Sequence, residues 1–261
     1  AYVNGSIHTF DENLTIADSI LIKDGVIQLV GSQSDVMKNA DESIEIVDLQ
    51  GRMMMPSFHD AHAHPIWNGM DFLQCSVFDL LTINEIQERI RACLEEDHVK
   101  TSGWVVGAGL NAGLFPAANP NKSLFDEVSE DIPIYIEMSD GHNALVNSKA
   151  LELAGINRDT KDPFKGIIER DPITGEPSGT LREPSAMNLV ADVLPTETAE
   201  LRLNGLLYAQ NLASSFGITS MIDAAVNEPY LISFKDLAQK GELNLRMTAC
   251  IEYGRQHYVQ E

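Results

Sequence analysis

Up to residue 52 the apolar positions fall in short runs broken by turn residues. Ile20-Leu-Ile-Lys-Asp-Gly-Val-Ile-Gln-Leu-Val-Gly31 holds two apolar runs split by Asp24-Gly25, the strongest short-range hairpin signal. Tyr2-Val-Asn-Gly-Ser-Ile7 and Ile44-Glu-Ile-Val-Asp48 add strand candidates. The pattern predicts an all-β unit over residues 1–52, too small to close a sandwich alone and expected to leave pairing edges or apolar surface exposed.

Beyond residue 52 the pattern turns to alternating strand and helix. Met53-Met-Met-Pro-Ser-Phe58 reads as a buried strand, and Thr82-Ile-Asn-Glu85 as a capping box. The helix it opens carries Ile83, Ile86, Ile90 and Leu94 on one face. Strands are expected at Trp104–Gly109 and Ile132–Glu137. A helix is expected over Leu145–Ala154, stopped at Gly155, with Asn143 or Asn147 as its cap. A long helix from near Thr196 to Phe216 would bury Leu206, Leu207 and Leu212, followed by strands at Ile218–Ile222 and Leu245–Ile251 around a helix near 230–240. Between Asn157 and Pro195 the alternation lapses into a hairpin-like insertion, Gly166 to Glu183, where substrate-shaping loops usually reside. Alternation of this kind implies parallel β/α units, as a barrel or an open doubly wound sheet.

Composition narrows the function. With 261 residues, 44% of them hydrophobic, the chain can bury a substantial core. A formal net charge of −21 argues against nucleic acid as a partner and against docking on anionic lipid. No apolar stretch is long enough to span a membrane and no signal peptide is visible, so a cytoplasmic location is expected; secretion is left open because the chain begins at Ala1. Cys75, Cys93 and Cys250, odd in number and widely spaced, are expected to form neither a disulfide framework nor a metal knot.

His62 and His64 are the most informative residues. Alternate residues of a strand face one side, so a His-x-His pair at a strand's mouth aims two imidazoles at one point, and neutral imidazole is a common ligand of divalent transition metals. The alternative is two surface histidines in a turn. Asp60 would support an imidazole from behind, or merely bond at the strand end; His59 falls on the opposite face and is no ligand. Asp140-Gly-His142-Asn143 follows a strand end, where His142 could bind substrate or act on a proton, or the segment could be only a capping turn before the next helix. Arg182, Glu183 and Asp223 are weaker strand-end candidates. His98 and His257 fall in polar surroundings and are expected to face solvent without partners. There is no P-loop and no nucleophile elbow, and Gly107-Ala-Gly109 lacks the remainder of a dinucleotide fingerprint.

Together, the Asp24-Gly25 hairpin, Leu49-Gln-Gly-Arg52 and Pro56-Ser-Phe-His-Asp-Ala-His-Ala-His64 resemble the N-terminal signature of the amidohydrolase superfamily. Asp140 to Ile156, Arg170 to Gly179 and Gly217-Ile-Thr-Ser220 narrow the resemblance to the subgroup of N-substituted formamide deformylases, YtcJ-like and exoenzyme-regulatory AepA-like proteins. The resemblance implies an α/β fold: part of a TIM-like (β/α) metal-dependent hydrolase barrel over 53–261, with a small N-terminal β-sandwich subdomain over 1–52. It implies hydrolysis of C–N bonds in small-molecule amides by water activated on one or two divalent metals, usually zinc, with His62 and His64 as metal ligands; the strand-end positions of His142 and Glu183 are read as substrate contacts. The family's bridging lysine, two later histidines and catalytic aspartate are expected after residue 261, so the chain resembles an N-terminal half, inactive by itself. Uncovered strand edges would favour self-association into a homo-oligomer. The competing expectation is a non-catalytic regulatory or binding protein on the same scaffold.

Overall fold

The computed structural model describes residues 1–251, which form two compact units. Residues 1–60 and 216–220 make the first. Its strands are β1 (Tyr2–Val3), β2 (Ser6–His8), β3 (Ile16–Ala17), β4 (Ser19–Lys23) and β5 (Val26–Gly31), then, after helix α1 (Gln33–Asn39), β6 (Val47–Asp48) and β7 (Met53–Met54). They pair as a four-stranded sheet, β5-β4-β1-β6, and a three-stranded one, β3-β2-β7. The Asp24-Gly25 hairpin is present as expected. Both residues have positive φ, 52° and 75°, which matches the right-handed twist of β4 and β5. Helix α1 departs from the all-β expectation. It buries Val36 alone, so no apolar period announces it, and it starts where the Ser32 hydroxyl accepts from Asp35 N–H. Ile16, Val26 and Ile27 remain exposed on this unit.

The expected Met53–Phe58 strand is corrected in two ways. Met53 and Met54 pair with β2, while a separate strand, β8 (Phe58–Ala63), begins after Pro56. The run is also not buried: Met53 and Phe58 are 62% and 56% exposed. Strand β8 leads the chain into the second unit, residues 61–215 and 221 onwards.

In that unit α2 (Pro65–Leu73), α3 (Ile83–Leu94) and α4 (Asp97–Ser102) precede β9 (Val105–Leu110); α5 (Ser123–Asp126) precedes β10 (Ile134–Met138) and β11 (Asn143–Val146); α6 (Ser148–Leu153) leads to β12 (Ile167–Arg170) and β13 (Pro177–Arg182). These strands form one sheet, β12-β13-β11-β10-β9, in which only β9 and β10 are parallel. The insertion around the expected hairpin is therefore real as a hairpin but extends the sheet. The helix expected from Leu145 begins later, because Ala144, Leu145 and Val146 pair along β11 and Asn147 caps α6. Asn147 is fully buried yet satisfied: its Oδ1 accepts from Ile134 and Ala150 N–H, and its Nδ2 donates to Ser129 and Ile132 carbonyls.

Successive β10 side chains face opposite sides. Ile134 and Ile136 pack with Ile86 and Ile90 of α3, whose Thr82 capping box forms as expected. Tyr135 packs in a second core with Leu181 and Met187. Each buried isoleucine contributes about 1.5–3 kcal/mol, so burial on both faces makes this sheet the rigid centre of the unit. Cys75 and Cys93 form a disulfide, contrary to expectation. The segment carrying Cys75 pairs with β9, donating from Cys75 to Val106 and from Val77 to Ala108, and this seats it under the last turn of α3. Spacing along the chain carries no sign of that juxtaposition.

The remaining elements are α7 (Glu183–Ala191), α8 (Ala199–Ser215), β14 (Ile218–Val226), α9 (Glu228–Gln239) and β15 (Arg246–Ile251), with β15-β14-β8 as a further sheet. Ile66 and Met70 of α2 share a core with Leu206 of α8 and Phe234 and Leu237 of α9. Leu206 is fully buried, Leu207 only partly so, and Leu212, expected in the core, is 41% exposed. The α2–α8 crossing is close enough that a Cβ on Gly69 would lie 2.0 Å from the Gly205 carbonyl oxygen. No helix among the described residues is long and apolar enough to cross a membrane.

Candidate functional site

Strand β8 ends at Ala63, and His64 occupies the N-cap of α2 with Pro65 in the first helical position. The chain therefore turns from strand to helix between the two histidines and the apolar core that anchors α2. Their rings nevertheless converge, with centroids 5.3 Å apart and planes at 87°. His62 is exposed and His64 partly buried. Facing them from β14, the neighbour of β8, is Asp223, which is 1% exposed; its Oδ1 lies 3.4 Å from His64 Nδ1. A carboxylate there favours the tautomer with hydrogen on Nδ1 and leaves Nε2 with a lone pair for an electrophile. Asp60 is half-buried on β8, and His59 is exposed.

Two nitrogen donors with a carboxylate behind one of them fit part of a metal centre. A catalytic zinc uses three protein ligands, and among the described residues no group of three or more His, Cys, Asp or Glu is arranged to hold an ion.

A second constellation gathers at the β10–β11 turn. The Asp140 carboxylate accepts from His142 and Asn143 N–H, and the β11–β13 pairing sets Asn143 opposite Arg182. His142 Nδ1 thereby meets Glu183 Oε2 at 3.2 Å, both side chains being exposed, and Glu183 N–H donates to the His142 carbonyl. Arg182 turns away to an ion pair with Glu169. His98 is solvent-facing as expected but not without a partner, since its Nδ1 is 3.3 Å from Glu96. His257 lies outside the described residues.

Beside the histidine pair opens a cavity of about 1270 Å³ that the sequence did not disclose. Trp67, whose ring centroid is 5.6 Å from that of His64, lines it, as do Ala225 of β14, Asp71 of α2 and Tyr135 and Glu137 of β10. Asp71 is 8% exposed, and burial, with repulsion from Glu137 next, pushes its carboxyl up to about 8. Burial likewise raises Glu137 to about 7 and the Tyr135 hydroxyl well above its ordinary value, with the neighbouring Glu137 charge adding to the latter. One sequence signal was available: Asp71 follows Ile66, Gly69 and Met70 on the buried stripe of α2, where a carboxylate has no packing role.

The sequence model of the Amidohydrolase family matches residues 45–260. The chain belongs to the amidohydrolase family. Protein LONG AFTER FAR-RED 3 of Arabidopsis thaliana is 33% identical over 84% of this chain and 37% of its own length. The N-substituted formamide deformylase of Arthrobacter pascens is 32% identical over 86% of the chain and 42% of its own. The exoenzymes regulatory protein AepA of Pectobacterium carotovorum is 30% identical over 85% and 48%. This amidohydrolase chain thus spans less than half the length of each of these relatives. An uncharacterized metal-dependent hydrolase of Pyrococcus horikoshii shares the fold, with a TM-score of 0.68 at 24% identity over 96% of this chain and 48% of that one.

Proposed function

We propose that this amidohydrolase chain carries the first-strand metal pair of a metal-dependent hydrolase of C–N bonds in non-peptide amides. The observation that carries the reading is the convergence of His62 and His64 with buried Asp223 against His64 Nδ1. His62 and His64 would donate to one or two divalent ions, zinc being suited to imidazole. When bound, such an ion lowers the pKa of its water and polarises a substrate carbonyl. Asp223 would hold the His64 ring and its tautomer, and Asp60 would steady His62 from the same strand. His142 with Glu183 would contact the substrate's polar end from the β10–β11 turn. The architecture proposed around them is a TIM-like barrel whose first strand is β8. The amide class is supported by the relative named for deformylating N-substituted formamides.

A second reading is a regulatory or binding protein on the same scaffold. It is favoured by the regulatory name of one relative. One experiment separates the two. Purified protein is analysed for bound metal and assayed for amine release from N-substituted formamides, beside His62→Ala and His64→Ala. The hydrolase reading expects added zinc to bind the wild type through the pair and neither variant, with amine release reserved for a protein of its relatives' length. Zinc binding by the wild type no higher than by the variants, with no amine released by such a longer protein, would leave the scaffold reading standing.

A further inference from the structure

The charged side chains that line the cavity beside the histidine pair are mostly carboxylates. Asp71 and Glu137 line its inner part, and Asp97, Asp192 and Glu197 its exposed part; His98 also lines it, and among the described residues no lysine or arginine does. Among the described residues neither Asp71 nor Glu137 has an ion-pair partner. Asn68 hydrogen-bonds Asp71 and the Tyr135 hydroxyl donates to Glu137, but a buried carboxylate without a cation remains costly, and protonation or a cationic occupant relieves it further. Four aromatic rings share the lining: Trp67, Trp104, Tyr135 and Tyr230. Aromatic faces attract cations by their quadrupoles, so walls and carboxylates select the same charge. A bare metal ion does not suit the space, which at about 1270 Å³ matches an organic molecule, and these carboxylates form no metal-holding group.

We propose that this cavity binds an organic ammonium group, the cationic end of an amine-bearing ligand that reaches toward His64 past Trp67. That the ligand is the amide substrate rests on the hydrolase reading above; the preference for an ammonium ion does not. An ammonium occupant would favour the ionised forms of Asp71 and Glu137, donate hydrogen bonds to their oxygens and pack its apolar body on the rings. An anion would face the lining carboxylates with no lysine or arginine among the described lining residues to pair with.

Both tryptophans of the chain line the cavity, so intrinsic fluorescence reports on its occupancy. The purified full chain is titrated at pH 8 with phenethylammonium, with its near-isosteric neutral partner phenethyl alcohol, and with hydrocinnamate, and affinities are checked by calorimetry. The expected result is saturable binding of the ammonium at least about tenfold tighter than the alcohol, a difference of roughly 1.4 kcal/mol, with no binding of the anion. Combined Asp71→Asn and Glu137→Gln should abolish that preference while thermal unfolding shows the variant folded, since neither change buries a new charge. Equal affinity for ammonium and alcohol, no saturable change, or an unaltered preference in the variant would overturn the inference. Because binding is read without turnover, its loss with metal still held by His62 and His64 sinks this inference alone, and the converse sinks the hydrolase reading alone.

Discussion

Asp71 is a residue whose chemistry departs far from its ordinary behaviour. Its folded-state carboxyl is raised to about 8 from 3.8, first by burial and then by repulsion from Glu137. Between those values the folded protein holds a proton that the unfolded chain has released, so this group's contribution to stability is full below pH 4 and is lost as pH rises through 8. Asparagine keeps the shape and cannot ionise. Asp71→Asn should therefore melt with the wild type near pH 4 and above it at pH 8, each kcal/mol of gain raising the Tm by about 2–4 °C. Scanning calorimetry across that range checks it, and a variant that loses stability at pH 8 would show the carboxylate to be paired rather than stranded. The same burial explains why the sequence pointed to His62 and His64 but passed over Asp71. A His-x-His motif is recognisable by itself, whereas a carboxylate becomes unusual only once its surroundings are known.

At the scale of elements, α2 links the histidine pair to the core, and its position depends on two small residues. Gly69 of α2 faces Gly205 of α8 so closely that the backbones touch where side chains normally intervene. Gly69→Ala should force the helices apart at a cost of about 1–3 kcal/mol or more, despite alanine's better helix propensity, and should loosen the packing that seats His64. Urea unfolding measures it; a neutral or stabilising result would mean the crossing yields without strain. Such features divide what was legible in the sequence from what was not. The Asp24-Gly25 hairpin and the Thr82 capping box are local signals and formed where the pattern placed them, whereas the strand expected over Met53–Phe58 split and the helix expected from Leu145 began later. Pairing between distant strands is not local. An apolar period does not say that β11 and β13 run antiparallel to their neighbours, or that Cys75 lies beneath Cys93. Helix α1, with one buried residue, left no period to read.

Over the whole molecule the governing quantity is charge. Thirty-nine acidic residues against eighteen basic ones leave −21. Ion pairs such as Lys23–Asp41 and Lys100–Glu95 hold side chains that are more than half exposed, and pairs of this kind contribute about 0–1 kcal/mol each. Self-repulsion acts among all the unpaired carboxylates at once and opposes the compact state. The two effects respond to salt with opposite signs, because screening weakens attraction and repulsion alike. If repulsion dominates, sodium chloride raised from about 0.01 M to about 0.5 M, which shortens the screening length from roughly 30 Å to below 8 Å, should raise the Tm at pH 7. Lowering the pH toward 5 neutralises part of the carboxylate excess and should shrink that gain. The same field that resists polyanions concentrates cations at the acidic cavity, so salt should weaken phenethylammonium binding even as it stabilises the fold. Thermal unfolding and ligand titration over one salt series test both signs together. A Tm that falls with salt would mean that ion pairs outweigh repulsion, and affinity unmoved by salt would remove charge from the account of the cavity.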